Sequence, residues 1–366
     1  MSGLATLAFL TICIILHELG HYLSAKSKGV AVSEFFIGFG PKLFSFIRNN
    51  TEYGVKAILL GGYVKIPGMD QDEEVTGYKR EELFHTASWR TKFFISSSGI
   101  IVNLLIAFFI MTIVLSTVGV SYPLLEIDSL GSSISENGRI PSFEAGLEPG
   151  DIIYSFNDIV LKDWDHLVEL IENNSNNRVD IEYLRNNIIY KTSTVLDERL
   201  INNETYGYLG VSPKIQNDQI SFFKVISSSF LILIDMIKSA VLGIFTLFSP
   251  SNLYTLAGGL LGNPVPIEIR PLSPVGLAQA GQAIGDTGFI NLLSLLAFVN
   301  VFLAVFNSIP LIPLDGGRVV LSLLEGLTGK KVSAKKLYPV AAVVVLIFIF
   351  LGITALYLDI TQPINL

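Results

Sequence analysis

An apolar segment near the start of the chain contains three ionisable side chains, and no other feature constrains the fold as strongly. The segment covers residues 4–25, and about 20 apolar residues are enough for a helix to span a bilayer. Inside it stands the sequence His17-Glu18-Leu19-Gly20-His21. Because an ionisable group at membrane depth costs several kcal/mol, the motif indicates a functional site in a membrane helix.

The spacing of these residues is typical of zinc ligands. Residues four positions apart lie on the same face of a helix, so His17 and His21 can bind one zinc ion. Glu18 is turned by about 100° from His17, so it can act on a metal-bound water without being aimed as a third ligand. The alternative is a polar cluster that is satisfied in the interior of a helix bundle without a metal.

The composition favours a membrane protein. Half of the residues are hydrophobic and only 16% are charged, whereas soluble domains typically carry about 25% charged residues. The net charge of −7 argues against a nucleic-acid partner. A single cysteine, Cys13, excludes an intrachain disulfide bond. Because no basic region precedes the apolar segment, we expect a retained span rather than a cleaved signal peptide.

Hydropathy predicts about four membrane spans. The predicted spans are residues 4–25, 93–118, 291–312 and 338–358. A further apolar segment, residues 221–248, carries Lys224, Asp235 and Lys238 on one polar face. We therefore predict that this segment lies on the membrane surface, in contact with lipid, and does not cross the membrane.

The distribution of basic residues predicts the orientation of the spans in the membrane. That orientation in turn predicts a third ligand beside the histidines. Lysines and arginines are concentrated between the first two spans and again in residues 318–336, so both loops should face the cytoplasm. Spans one and three then run in the same direction, and Asp315, at the end of span three, can meet His17 and His21. A crossing at residues 221–248 would place Asp315 on the wrong side of the membrane.

Four motifs carry a resemblance to a known family. They are His17-Glu18-Leu19-Gly20-His21, Gly38-Phe39-Gly40-Pro41, Gly61-Gly62-Tyr63-Val64-Lys65 and Phe306-Asn307-Ser308-Ile309-Pro310-Leu311-Ile312-Pro313-Leu314-Asp315-Gly316-Gly317. They resemble the motifs of the site-2 protease family, bacterial intramembrane zinc metalloproteases that cut the membrane segments of other proteins. The chain departs from the family at Ser98-Gly99-Ile100-Ile101-Val102-Asn103, where relatives often have Gly-Pro before the asparagine.

The resemblance implies roles for individual residues. The implied ligands of Zn2+ are His17, His21 and Asp315. Glu18 is implied as the catalytic acid/base, and Asn307 is implied to help hold the substrate. Glu325, on the helix after Asp315, is an alternative third ligand, but the family motif favours Asp315. The implied substrates are single-pass membrane proteins, either an anti-sigma factor or a remnant signal peptide.

The region between the second span and residue 220 predicts a small soluble domain. Ala145-Gly146-Leu147-Glu148-Pro149-Gly150-Asp151 precedes an alternating strand, and a helix at residues 164–173 and a strand at residues 179–184 follow. Asn186-Asn187 predicts a hairpin turn. The pattern resembles a PDZ domain over residues 123–213. Such a domain can add a peptide strand to a sheet edge, act as a size filter over the membrane site, which we favour, or serve as a spacer.

The loop after the first span predicts a β-hairpin at membrane depth. Residues 55–60 and 63–66 have the pattern of strands on either side of Gly61-Gly62. Non-helical backbone at this depth is tolerated only where it is buried or lines a wet cavity. We expect a re-entrant hairpin whose edge, with Gly61, Gly62 and Tyr63, binds an extended substrate, with Asn307 on the other side. The alternative is a cytoplasmic hairpin without substrate contact.

The predicted fold is a polytopic α-helical membrane protein with about four spans, a re-entrant β-hairpin and an inserted α+β PDZ-like domain. The predicted regions are 1–28 (first span), 29–90 (hairpin loop), 91–120 (second span), 123–213 (PDZ-like), 219–290 (surface helix and linker), 291–325 (third span) and 338–358 (fourth span). The predicted location is the bacterial cytoplasmic (inner) membrane, with the PDZ-like domain outside and the active site near the cytoplasm. Rival interpretations are a non-proteolytic scaffold, a metal carrier and a protease that trims soluble or lipid-modified proteins.

Overall fold

The structure is a computed structural model that describes residues 2–69, 76–131, 139–201, 204–330 and 337–363. The chain forms two compact units, one of Met1–Leu115 with Phe222–Leu366 and one of Ser116–Ser221. Residues 331–336, part of the basic loop that predicts the cytoplasmic side, lie outside the described residues.

The described residues form ten α-helices and ten β-strands. The helices are α1 (Ser2–Ser27), α2 (Trp89–Val118), α3 (Pro141–Glu144), α4 (Trp164–Glu172), α5 (Phe222–Leu247), α6 (Pro250–Gly259), α7 (Pro274–Thr287), α8 (Phe289–Asn307), α9 (Asp315–Thr328) and α10 (Tyr338–Thr361). The strands are β1 (Glu34–Arg48), β2 (Thr51–Lys65), β3 (Val120–Leu130), β4 (Ile152–Phe156), β5 (Ile159–Val160), β6 (Arg178–Arg185), β7 (Ile188–Val195), β8 (Asp197–Ile201), β9 (Glu204–Tyr208) and β10 (Val211–Asp218).

The predicted spans coincide with long helices. Among the described residues, five helices are long and apolar enough to cross a membrane: α1, α2, α5, α8 and α10. The helix of the third predicted span ends at Asn307, because the chain turns in a segment with prolines at 310 and 313 that cannot continue it. A separate helix, α9, then begins at Asp315.

Helix α5 is the additional candidate for a span, so the number of four spans stays a prediction. Its 26 residues meet the length and hydropathy of a crossing helix, and its Leu233 and Ala240 pack in an apolar cluster with residues of α2 and α8. Its Asp235 and Lys238 form an exposed ion pair, with side chains 70% and 68% exposed. The segment after α5 was predicted as a linker, but it contains the helices α6 and α7. Helix α7 packs closely on α1, since a Cβ atom added at Gly281 would overlap the hydroxyl group of Thr6.

The loop after α1 forms a bent sheet of four rows. Residues 34–37 of β1 pair on one side with residues 52–55 of β2 and on the other side with residues 62–65, while residues 42–48 pair with residues 51–56. The order of the rows is therefore 42–48, 51–56, 34–37 and 62–65. Residues 62–65 form an outer row, which we call the edge row.

This topology corrects the predicted hairpin. The two predicted strands on either side of Gly61-Gly62 exist, but they do not pair with one another, because residues 34–37 lie between them. The tight turn is at Asn49 and Asn50 instead, with φ of 49° and 59°. Two-residue hairpin turns require such left-handed backbone, which asparagine tolerates better than most residues.

The second unit is an α+β domain. Its main sheet has the order β10-β3-β4-β6-β7, β5 pairs with β4, and β8 pairs with β9. Helix α4 begins at the predicted residue, where the Asp163 side chain accepts a hydrogen bond from the amide of His166. The Asn186-Asn187 turn is confirmed, with both residues in left-handed backbone. Buried Asp151 accepts hydrogen bonds from Arg185, at 2.7 and 2.8 Å, and this contact raises the pKa of the Arg185 guanidinium.

Candidate active site

Three buried side chains from two helices meet at one point. His17 and His21 project from α1, and their Nε2 atoms are 3.2 Å apart. Each Nε2 atom also lies 3.0 Å from Oδ2 of Asp315, the first residue of α9. Among the described residues, this is the one group of three or more histidine, cysteine or acidic side chains with the spacing of a metal site.

The geometry of this group fits a zinc ion. Zinc binds histidine nitrogen and carboxylate oxygen at about 2.0–2.2 Å with tetrahedral angles, which places neighbouring ligand atoms about 3.3 Å apart. The observed separations of 3.0–3.2 Å are close to that spacing. Two neutral imidazoles and one carboxylate are also the donor set of a catalytic zinc site, which keeps one position open.

The backbone of α2 orients His21. Its Nδ1 atom lies 2.7 Å from the carbonyl oxygen of Ile95 and donates to it. This bond places the proton on Nδ1 and leaves the lone pair of Nε2 free for a metal. The sequence alone did not reveal this contact, because a carbonyl group carries no side-chain signal.

A glycine lets α2 approach the histidines. A Cβ atom added at Gly99 would lie 2.5 Å from Nε2 of His21 and 2.6 Å from Nε2 of His17. Any larger residue would displace one ring or separate α1 from α2. The signal was present in the sequence, since Gly99 stands in the segment where the chain departs from the family motif, but its spacing did not indicate a close approach.

The turn between α8 and α9 positions Asp315. Asp315 occupies the first turn of α9, where the positive end of the helix dipole favours a carboxylate. The predicted ligand set of His17, His21 and Asp315 is thus brought together. The alternative ligand Glu325 is not, because its Oε2 atom lies 2.6 Å from Nζ of Lys92.

Glu18 lies beside the edge row of the sheet. Its Oε2 atom accepts a hydrogen bond of 3.0 Å from the backbone amide of Val64. The sheet follows α1 further along, since the Thr11 hydroxyl donates to the carbonyl of Leu59 at 3.2 Å. Thr11 stands near the middle of the 26-residue helix, so the sheet runs alongside α1 from Glu18 back to the middle of the helix.

The predicted substrate-binding residues are Gly61, Gly62 and Tyr63 on β2 and Asn307 on α8. A Cβ atom added at Gly61 would lie 3.4 Å from the side chain of Ile14 on α1, and Gly62 belongs to the edge row. The Tyr63 hydroxyl donates to Glu34 and accepts from Lys56. Asn307 is the last residue of α8, and its amide donates to the carbonyl of Leu303 at 3.1 Å. Their contact with substrate stays a prediction.

The site joins two histidines on an apolar helix of membrane length to an aspartate on the shorter helix α9, and this donor set fits a catalytic zinc ion. The sequence pattern of Peptidase family M50 matches residues 5–351. The regulator of sigma-W protease RasP of Bacillus subtilis is 25% identical, in a match that covers 88% of this chain and 89% of RasP. The membrane metalloprotease ARASP of Arabidopsis thaliana chloroplasts is 28% identical, with 98% of this chain and 78% of that protein covered.

A third relative, the zinc metalloprotease RasP of Bacillus licheniformis, is 23% identical, with coverage of 88% of this chain and 90% of the relative. The chain therefore belongs to peptidase family M50, the site-2 protease family, and is a zinc metalloprotease. The resemblance and the zinc cofactor predicted from the sequence are confirmed. The apolar helices and the membrane relatives make it a multi-pass membrane protein.

Proposed function

We propose that this protein hydrolyses peptide bonds within or next to the transmembrane segments of single-pass membrane proteins. His17, His21 and Asp315 bind the zinc ion, and Glu18 is the catalytic acid/base. The observation that carries the proposal is the convergence of the three ligand atoms at 3.0–3.2 Å. Both histidines and Glu18 stand on a helix of membrane length. Ionisable side chains inside a membrane segment are costly and mark functional sites, which supports a reaction at membrane depth.

The residues of the chain divide the chemistry between them. A zinc ion held by His17, His21 and Asp315 would supply Lewis acidity, which would lower the pKa of water at the site to about 7. The Glu18 carboxylate takes a proton from the attacking water and later gives it to the leaving amine. The amide of Val64 holds that carboxylate in place, and the carbonyl of Ile95 holds His21 in the tautomer that leaves Nε2 free.

The edge row is the proposed binding strand for substrate. Residues 62–65 pair with residues 34–37 on one side, and the amide of Val64 on this row contacts Glu18. A helical substrate hides its peptide groups, whereas an extended one can pair with a sheet edge and expose them. Contact between Leu59 and the middle of α1 supports membrane re-entry of the sheet. Asn307 is proposed to hold the other side of the substrate.

The second unit is proposed to be a PDZ-like domain on the extracytoplasmic side. A cavity of about 190 Å³ lies between α4 and residues 206–211, with Trp164 and Val168 on one wall and Tyr208 and Gly210 on the other. This cavity favours capture of an extended peptide segment as a second role beside size filtering. Substitution of Val168 by Trp fills the cavity, and loss of binding of a soluble substrate peptide, measured by fluorescence anisotropy, would support capture.

The proposed location is the bacterial cytoplasmic (inner) membrane, with the zinc site near the cytoplasmic side. The relative named as a regulator of sigma-W protease supports an anti-sigma factor as one substrate class. A remnant signal peptide is the other. Both are single-pass membrane segments, and the site itself recognises backbone rather than a particular side chain in this proposal.

A cleavage assay with the purified full-length protein tests the proposal. A tagged single-pass substrate is incubated with wild type and with Glu18→Gln, and zinc is quantified in both. We expect product from wild type alone, with zinc retained in Glu18→Gln. The matched control is Glu268→Gln, outside the site. Bound zinc without cleavage of any transmembrane substrate in a panel would favour the non-proteolytic scaffold instead.

A further inference from the structure

One face of α2 contacts the histidines of the zinc site. Lys92, Ile95 and Gly99 are three and four residues apart, so they lie along a single face of that helix. All three are buried. Ile95 accepts the hydrogen bond from His21, and Gly99 lies against both histidine rings. Ile95 and Gly99, two points on this face, therefore hold α2 against the histidines of α1.

The third point of the same face fixes α9. Nζ of Lys92 lies 2.6 Å from Oε2 of Glu325, and the two side chains are only 5% and 16% exposed. The next residue, Gly326, packs on the indole of Trp89, since an added Cβ would lie 2.6 Å from the ring. Helix α9 begins at Asp315. The helix that supports the histidines is thus also joined to the helix that carries the aspartate.

A buried ion pair of this kind is weak evidence for stability. The cost of removing two charges from water is often as large as their attraction, and apolar replacements of similar volume are often neutral. Such a pair does fix the register of one helix against another. Glu325 is ten residues from Asp315, about 15 Å along a rigid helix. If α9 slides along its axis at Glu325, the Asp315 carboxylate therefore moves by about the same amount as Glu325.

We propose that Lys92 and Glu325 are positioning residues for the zinc site. Their ion pair holds α9 against α2 so that Oδ2 of Asp315 meets the two histidine nitrogens. The pair thereby raises the affinity of the site for zinc without contacting the ion. This inference rests on the proposed zinc ligands His17, His21 and Asp315.

The test measures zinc affinity in the full-length protein in detergent, by competition with a chelator. Lys92→Met and Glu325→Gln each leave one buried partner unpaired. We expect the zinc dissociation constant to rise by about 10–100-fold, as for other residues that support metal ligands. The absorption bands of the Co2+-loaded variants should shift, since they report the ligand geometry. Lys238→Met, which breaks the exposed pair on α5, is the matched control and should change neither readout.

Two double variants separate positioning from general stability. Lys92→Met with Glu325→Met removes both charges, so the metal-free melting temperature should stay near that of wild type while zinc affinity falls. Lys92→Glu with Glu325→Lys keeps the pair with reversed sign and should recover most of the zinc affinity. The inference is overturned if the double Met variant binds zinc like wild type. It is also overturned if the reversed pair folds and binds as weakly as Lys92→Met.

A reference variant keeps this inference separate from the proposed function. His17→Ala removes a ligand and should abolish tight zinc binding. If wild type binds zinc no better than His17→Ala, the proposed zinc site itself is wrong. If His17→Ala loses zinc and the ion-pair variants bind like wild type, the site stands and only the positioning role is wrong.

Discussion

The carboxylate of Glu18 accepts a hydrogen bond from the backbone amide of Val64 at 3.0 Å. This contact joins α1, which carries His17 and His21, to the edge row of the sheet beside it. The proposed acid/base and the proposed substrate strand are therefore neighbours. A peptide bound to that row would lie next to the side chain of Glu18.

Replacement of Val64 by Pro tests the link between the sheet edge and Glu18. Proline has no amide hydrogen, so Glu18 loses its donor. A hydrogen bond to a charged group contributes about 1.5–3 kcal/mol, so turnover should fall by about 10–100-fold. Zinc content should stay at the wild-type level. Val64→Ala keeps the amide and is the control; equal turnover in the Pro and Ala variants would contradict the role of the edge row.

Replacement of Asp315 by Asn should remove zinc from the protein. The neutral amide is a poor ligand, and loss of a direct ligand should cost at least the roughly 100-fold in affinity that supporting residues can cost. Metal analysis after dialysis against a chelator measures the effect. Glu268→Gln, outside the site, is the control and should keep its zinc under the same dialysis. Full zinc content in Asp315→Asn would mean that another residue completes the site.

Replacement of Gly99 by Ala should weaken the zinc site through a single methyl group. The added Cβ would lie 2.5 Å from Nε2 of His21, closer than carbon and nitrogen atoms can approach. We expect zinc affinity to fall by about 10–100-fold. Gly352→Ala, in α10, places its Cβ in open space and should leave affinity unchanged. Unchanged affinity in both variants would show that α2 does not press on the histidines.

Replacement of Asp151 by Asn should destabilise the second unit. Asp151 is 1% exposed and accepts hydrogen bonds from Arg185 and from the amide of Glu148. The Arg185 side chain is 26% exposed, so water can solvate its charge in the variant, and loss of the charged hydrogen bond should cost about 1.5–3 kcal/mol. Pulse proteolysis of the full-length protein, with fragments mapped to residues 116–221, measures this. Lys191→Met, which removes exposed ion pairs, is the control and should have little effect.

The grouping of His17, His21 and Asp315 could be predicted from the sequence, and their role as zinc ligands stays a prediction. The spacing of His17 and His21 fixes a shared helix face, and the Asp315 motif together with the predicted direction of the third span indicated the aspartate. The order of the sheet rows could not be predicted, because residues 34–37 pair with two distant segments at once and each segment alone has an ordinary strand pattern. Non-local pairing of this kind leaves no periodic signal.

Contacts between apolar helices were the other part that the sequence did not predict. The polar residues of helix α2 do not form one separate face, so its periodicity did not indicate which face meets α1 and α9. The roles of Gly99 and Lys92 depend on that face. Helix α7 was also missed, although Ser273 and Pro274 form a recognisable helix start in which the serine side chain accepts from the amides of Val275 and Gly276.

The most direct test of the central claim is the position of the bond that is cut. A single-pass substrate in detergent or in vesicles is incubated with the wild-type protein, and the new termini are identified by mass spectrometry. We predict cleavage within or next to the transmembrane segment, with no product from Glu18→Gln. Cleavage confined to the soluble part of the substrate, or the same product from Glu18→Gln, would contradict the account.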